Sequence, residues 1–300
     1  MGPVAVGALA IAAGGLGWGA VEARAYTVRR VNVPVLPQDA EPIRMLHLSD
    51  IHLVPRQESL LTWLNGLAAL EPDLVIDTGD NLAHRDAVGP LLEALEPLLR
   101  VPGAFVFGSN DYFGPVPKNP FTYFRGPTRP KSEPEHLPWQ DLAEGFSTAG
   151  WSNLTNARAA ATIKGTAIEL VGLDDPHIAR DRLPDPASST PDAVRIGVVH
   201  APYSRALAAL RDDGAELILA GHTHGGQVCV PGFGALVTNC DLNRRRASGL
   251  SGWPGRRPDR GGEDSVWLHV SAGVGTSPYA RVRFACRPSA TLLELVPRTA

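Results

Sequence analysis

The chain has 300 residues, 44% of them hydrophobic, enough for one large α/β domain or two small ones. A net charge of −3 offers no basic face of the kind nucleic-acid binding needs, so no nucleic-acid partner is expected. The three cysteines, Cys229, Cys240 and Cys286, lack C-x-x-C spacing, which argues against a disulfide framework and a thiolate zinc site and favours a reducing compartment.

Met1 to Val21 carries no charged residue and is rich in Ala, Gly, Val and Leu. As a helix it would be about 30 Å long, one hydrocarbon core. Six of its residues are glycines, so its hydrophobicity is modest. A cleaved signal peptide competes, with Ala23-Arg-Ala25 resembling a cleavage site, but the segment lacks a basic n-region. Arg24, Arg29 and Arg30 follow the apolar run and, by the positive-inside rule, hold its C-terminal side in the cytoplasm. The expectation is therefore an uncleaved transmembrane anchor over residues 1–23 with a cytoplasmic domain behind it. Residues 24–42 read as a linker, with three prolines between Val31 and Pro42, and residues 43–300 as the domain itself.

Within the domain, Ile43 to Asp50 is a strand-like run delivering Asp50 and His52 at its end. Leu60 to Leu70 has helical spacing. Asp73 to Asp80 is a second buried strand ending in Gly79-Asp80. A helix around Ala87 to Leu99 precedes a third strand, Ala104 to Phe107, ending Gly108-Ser-Asn-Asp111. Strands alternating with helices, polar at each strand end, predict an α/β sheet with its site at the carboxyl edge. Pro115 to Pro138 holds seven prolines with Phe121, Tyr123 and Phe124, and reads as a surface insertion: an inert loop, a lid or a membrane-dipping loop.

Trp139 to Ala149 reads as a helix and Ala157 to Gly172 as a hairpin turning at Lys164-Gly165. Arg195 to His200 is a buried strand, Ser204 to Arg211 a short helix, and Leu217 to Ala220 a strand ending in His222 and His224. In extended backbone that i, i+2 spacing puts both imidazoles on one side. Gln227 to Val230, Val266 to Val270 and Thr291 to Val296 complete the strands. Arg244 to Arg260 holds six arginines among glycines and prolines, a solvated loop or a contact for phosphate or anionic lipid.

In chain order the polar strand ends are Asp50-x-His52, Gly79-Asp80, Asn110, His200 and Gly221-His222-x-His224. Carboxylate, amide and imidazole donors suit Mn, Fe or Zn better than calcium. This series resembles the calcineurin-like metallophosphoesterase superfamily, from about Arg44 to Val296. Gly221-His-Thr-His-Gly-Gly-Gln227 and Gly273-Val-Gly-Thr-Ser277 read like its membrane-associated bacterial branch. The resemblance implies a four-layer α/β/β/α sandwich, two mixed sheets face to face between helices. It also implies phosphoester hydrolysis with two divalent cations ~3.5–4 Å apart and a shared, activated water. One cation would take Asp50, His52, Asp80 and His224, the other Asp80, Asn110, His200 and His222, with Asp80 bridging. Asp80, Asn110 and Asp111 are then the catalytic set.

The third strand departs from the family pattern Gly-Asn-His-Asp/Glu. Aligned without a gap, Ser109 takes the ligand position; shifted by one, Asn110 does, and an amide oxygen is the better ligand. Either way the usual histidine is absent, and losing a proton donor costs on the order of 10²–10⁴ in rate for poor leaving groups. A substrate with a good leaving group, a pyrophosphate or activated phosphodiester, is expected. An N-terminal anchor and an arginine-rich loop add a lipid-linked phosphate as the expected partner class. His84 is either a substrate contact or a surface histidine at a helix start. Arg283 matches an arginine of the branch's C-terminal motif, as a substrate contact or a structural salt bridge. Two other readings stand beside the hydrolase: a degraded, metal-holding sensor of a phosphorylated lipid, and a zinc-dependent amide hydrolase.

Overall fold

The computed structural model describes residues 14–117, 134–187 and 190–298. Two six-stranded mixed sheets dominate it. The first has the order β1-β14-β2-β3-β4-β5, built from β1 (Thr27–Leu36), β2 (Ile43–Leu48), β3 (Leu74–Asp77), β4 (Gly103–Phe105), β5 (Ser152–Asn153) and β14 (Ser289–Pro297). The second has the order β12-β13-β9-β8-β7-β6, from β6 (Arg158–Ile163), β7 (Thr166–Leu173), β8 (Val194–Val199), β9 (Leu217–Ala220), β12 (Gly249–Trp253) and β13 (Val266–Val270). A two-stranded ribbon, β10 (Cys229–Val230) with β11 (Gly234–Ala235), stands apart from both.

Side-chain alternation explains the layering. On β3, Ile76 joins Val33, Met45, Ile168, Ile196 and Leu219 in the core between the sheets. Its neighbour Val75 faces the other way, with Leu46 and Phe105, onto the helices Glu58–Gly66, Val88–Leu99 and Trp139–Thr148. On the far side, Val171, Val199 and Ile218 pack on the helix Ser204–Asp212 through Leu207 and Leu210. The central strands are buried on both faces, which is why they read as unbroken apolar runs. The β6–β7 hairpin turns at Lys164 and Gly165, both at positive φ (47° and 78°), as a two-residue turn that follows strand twist.

Two stretches differ from expectation. The supposed linker 24–42 contains β1, which pairs in parallel with β14 from Thr27 to Leu36. Pro34 is tolerated there because β1 is an edge strand, so its missing N–H interrupts no inner ladder. The arginine-rich stretch is not all loop either: β12 pairs antiparallel with β13 from Gly249 to Trp253.

The expected anchor lies partly outside the described residues, as does the stretch 118–133 of the proline-rich insertion. Among the described residues no helix is long and apolar enough to cross a membrane. Residues 14–22 are helical, and the end of this helix packs on the domain. The Gly19 carbonyl accepts from Arg283 N (2.9 Å), and the buried Glu22 carboxylate accepts from Cys286 N (2.7 Å) and Ala285 N (3.1 Å).

A polar pair sits inside the sheet interface. His47 of β2 and His269 of β13 meet Nδ1 to Nδ1 at 2.8 Å, and His47 Nε2 lies 3.0 Å from Thr78 Oγ1. Burial lowers both imidazoles, His269 to about 3, so the folded chain keeps the pair neutral. The unfolded chain binds these protons below pH 6.5, so this contribution is level above pH 6.5 and is lost progressively toward pH 3. Urea unfolding of His269→Gln beside the unsubstituted chain is expected to show a stability gap that narrows as pH falls from 6.5 toward 3. A gap independent of pH would show that the pair is not held neutral.

Candidate metal centre

The carboxyl ends of β2, β3, β4, β8 and β9 come to one place where the two sheets meet, the position open α/β sheets offer for a site. Asp50 and His52 follow β2, Asp80 follows β3, Asn110 follows β4, His200 ends β8, and His222 and His224 follow β9. The backbone turns sharply to aim them. Asp50, His52, Asp80, His222 and His224 all have left-handed φ between 45° and 68°. Each such residue costs about 1 kcal/mol or more, and such strain gathers at functional sites. Gly79 (φ 87°) and Gly108 let the β3 and β4 loops touch, since a side chain on Gly108 would strike both Asp80 and His200.

Asp80 is the hub. Its Oδ2 lies 3.3 Å from His200 Nε2 and 3.5 Å from His52 Nε2, and accepts from Asn110 Nδ2 at 2.7 Å. Its Oδ1 accepts the Asn110 peptide N–H at 2.8 Å. Asp50 lies with its Oδ1 3.4 Å from His224 Nε2, and its carboxylate accepts from Ser49 Oγ (2.5 Å) and His222 N (3.1 Å). His52 and His224 stack, their Nε2 atoms 3.1 Å apart. Thus Asp50, His52 and His224 form one group that could hold a metal ion and Asp50, Asp80 and His200 another, each with donor atoms within 4.8 Å.

The electrostatics ask for cations. Asp50, Asp77, Asp80, Asp111 and Asp175 are all buried here, and among the described residues the one buried Lys or Arg is Arg283, behind His224. Burial pushes Asp77 and Asp175 up to about 6. Burial alone would raise Asp80 too, but the His200 and His52 imidazoles and the Asn110 N–H hold it well below the usual carboxylate range. Burial opposes charge on His200, yet Asp80, Asp175 and Asp50 raise its affinity for a proton well above imidazole's ordinary value. A divalent cation answers the same excess of negative charge.

The donors present fit such a cation. His200 Nε2 is buried without a hydrogen-bond partner, and His52 and His224 point Nε2 at Nε2, tolerable only with a proton or cation between them. His200 Nδ1 donates to the Thr78 carbonyl (2.7 Å), which fixes the tautomer and leaves Nε2 as a lone pair toward Asp80. His222 Nε2 faces the Asn239 carbonyl at 3.3 Å in the same way.

Three expected site residues stand elsewhere. Asp111 does not face the centre: its carboxylate accepts from the backbone N–H of Asp80 (2.8 Å), Gly108 (2.9 Å), Asn81 (2.7 Å) and Leu82 (3.2 Å), which ties the β3 and β4 loops together. It is a positioning residue. His84 caps a short turn, its Nδ1 accepting from Asp86 N at 3.1 Å, and it is partly exposed. Arg283 is neither placed to meet a substrate nor, among the described residues, part of a salt bridge. Fully buried, it donates to the carbonyls of Gly275 (2.8 Å), Gly273 (3.1 Å) and His224 (3.2 Å), with Nη2 3.3 Å from His224 Nδ1. At the third strand, the Asn110 side chain and not Ser109 meets Asp80.

Sequence reasoning missed Asp175 and His177, which follow β7. Asp175 is buried and accepts from His177 N at 2.8 Å, and the His177 ring lies 4.7 Å from that of His222. The signal was present in Leu173-Asp-Asp-Pro176, polar residues at the end of an apolar strand, as at the other strand ends that border the centre.

Residues 43–226 match the family model for calcineurin-like phosphoesterases. The chain belongs to that family. It is 28% identical to the phosphodiesterase YaeI of Escherichia coli (strain K12) over 288 residues, covering 90% of this chain and 88% of that one. It is also 28% identical to the uncharacterized metallophosphoesterase YkuE of Bacillus subtilis (strain 168), over 98% of this chain and 94% of the relative. The crystal structure of TT1561 from Thermus thermophilus is similar at 10% identity and a TM-score of 0.40, over 78% of this chain and 90% of that one, too distant to weigh. The protein is a hydrolase of the metallophosphoesterase class.

Gly108→Ala tests the loop contact. A methyl there would sit 2.7 Å from the His200 ring and against the Asp80 carboxylate. Turnover is expected to fall about 10²-fold or more, the usual consequence of displacing a reacting group by an ångström. Metal content by elemental analysis should drop with it while circular dichroism is unchanged; full metal content and turnover would show that the β3 and β4 loops have slack.

Proposed function

We propose that the protein hydrolyses a phosphodiester or pyrophosphate linkage at a centre of two divalent cations. The observation that carries this reading is the place of Asp80: one carboxylate oxygen faces His52 on one side and His200 on the other, with Asn110 beside it. Asp50, His52, Asp80 and His224 would hold one cation, and Asp80, Asn110, His200 and His222 the other. Asn110 would ligate through its amide oxygen. Two cations so held neutralise a phosphoryl group's charge and lower the pKa of a shared water.

The chain's own residues supply orientation. Thr78 holds the His200 tautomer, Arg283 holds His224 from behind, and Asp111 keeps Asp80 and Asn110 in register. None supplies a proton to the leaving group at the third strand. Ser109 and Asn110 are poor acids, and the Asp111 carboxylate is taken up by four peptide N–H groups. The leaving group must therefore depart with little help, which supports a substrate whose leaving group is a stable anion. The relative named as a phosphodiesterase supports the diester. A lipid-linked phosphoester is the favoured substrate class, supported by the uncharged apolar residues at the N-terminus.

With Mn²⁺ and bis-p-nitrophenyl phosphate, turnover should require metal and fall to background in Asp80→Asn; no metal-dependent turnover would overturn the hydrolytic reading. Across a series of aryl phosphodiesters the rate should rise steeply as the leaving-group pKa falls. A flat profile would mean that a proton donor operates after all.

A further inference from the structure

Two cavities, each about 530 Å³, lie outside the ligand set but border it. Gly275 lines the first, and its N–H bonds the Asp50 carbonyl at 2.6 Å; Gly225 lines the second and directly follows His224. Arg24, Arg56 and Arg281 line the first, and Arg29, Arg244 and Arg245 the second. None of the six has an ion pair among the described residues. Glu58 also lines the first cavity and leaves it two positive charges in excess; no acidic residue lines the second. On a chain of net charge −3 such local concentration needs a negative partner.

The same region carries the exposed apolar side chains. Of the seven large hydrophobics that are well exposed among the described residues, Leu16, Trp18, Val21, Val230, Phe233 and Tyr279 belong to it, 44% to 64% exposed; Leu183 is the exception. They are brought together by the segment 279–286. The helix 14–22 docks on it through Gly19 and Glu22, and the β10–β11 ribbon through Cys229 N to Phe284 O (2.8 Å), while Gln227 Nε2 donates to the Ala280 carbonyl (2.7 Å). Arg244 lies 3.8 Å over the Phe233 ring, so cation and apolar tip are presented as one unit.

We propose that this face docks on an anionic lipid bilayer, with phosphate headgroups in the two arginine-lined cavities and the apolar tips among the acyl chains. Apolar side chains rimmed by arginine match the boundary between headgroup and hydrocarbon, and a water-soluble partner would not require both. The sequence ahead of the face agrees: residues 1–13 carry no charge and lead into it at residue 14. The proposal goes beyond the hydrolytic reading and does not depend on it. It places the metal centre against the bilayer.

The test is co-sedimentation of the full chain with phosphatidylcholine vesicles, with and without phosphatidylglycerol, in low and high salt. The chain should bind the anionic vesicles and release with salt. Each arginine near such a surface is worth about fivefold in partitioning, so Arg244→Gln with Arg245→Gln should weaken binding roughly 20-fold. Phe233→Ser should weaken it too, with metal-dependent diester turnover and circular dichroism unchanged in both variants. Absence of binding, or equal binding to neutral and anionic vesicles, would overturn the proposal. Binding untouched by either variant would assign attachment to residues 1–13 alone and overturn it as well. So would a lipid-independent dimer lost in Phe233→Ser, which would make the face a contact between copies.

Discussion

The carboxylates of Asp50, Asp77, Asp80, Asp111 and Asp175 are almost fully buried where the carboxyl ends of two sheets meet, and the cost of keeping them charged there governs the architecture around them. An unpaired buried carboxylate is among the least tolerable groups in a protein interior, so each must be protonated, hydrogen-bonded or matched by a cation. Asp111 is satisfied by peptide N–H groups, Asp77 by Gly79 N and Asn81 Nδ2, Asp175 by His177 N, and Asp50 and Asp80 face imidazoles. The left-handed backbone at five of the seven candidate ligand positions is a further cost of the arrangement.

This division separates residues that touch the reacting groups from those that hold them. His200 is useful because Thr78 fixes its tautomer, and His224 because Arg283 backs it. Asp111 binds two loops that also meet at Gly79, Gly108 and the Asp80–Asn110 contact. The site is therefore built as a rigid frame, with both sheets contributing ligands, and its chemistry depends on the two sheets remaining in register through the core that contains His47 and His269.

The N-terminal part of the chain illustrates how local composition and tertiary role diverge. Prolines made residues 31–42 read as a linker, yet β1 finds a parallel partner in β14, more than 250 residues later in sequence. Arginines made 244–260 read as solvated, yet Gly249 to Trp253 pairs with β13. Both misreadings have one cause. β1 and β12 are edge strands, held by a partner strand rather than by a local pattern, β14 far along the chain and β13 close by, and a single-sequence pattern carries no record of that pairing.

The sequence by itself marked the strand ends that carry Asp50, His52, Asp80, His200, His222 and His224, because a buried strand must be apolar along its length and a polar residue at its end is conspicuous. It also marked Asn110 over Ser109, on donor strength alone. Only the tertiary structure decided where Asp111, His84 and Arg283 point, since a side chain's partner can lie on any element the fold brings near. Asp111 turned to peptide N–H groups, Arg283 sank beneath His224, and Asp175 and His177 arrived from β7. The gathering of arginines around two cavities, with exposed apolar side chains near them, was invisible for the same reason: residues 20–26, 56 and 275–281 meet at one cavity, and 29, 225–248 and 285–286 at the other, only once the chain has folded.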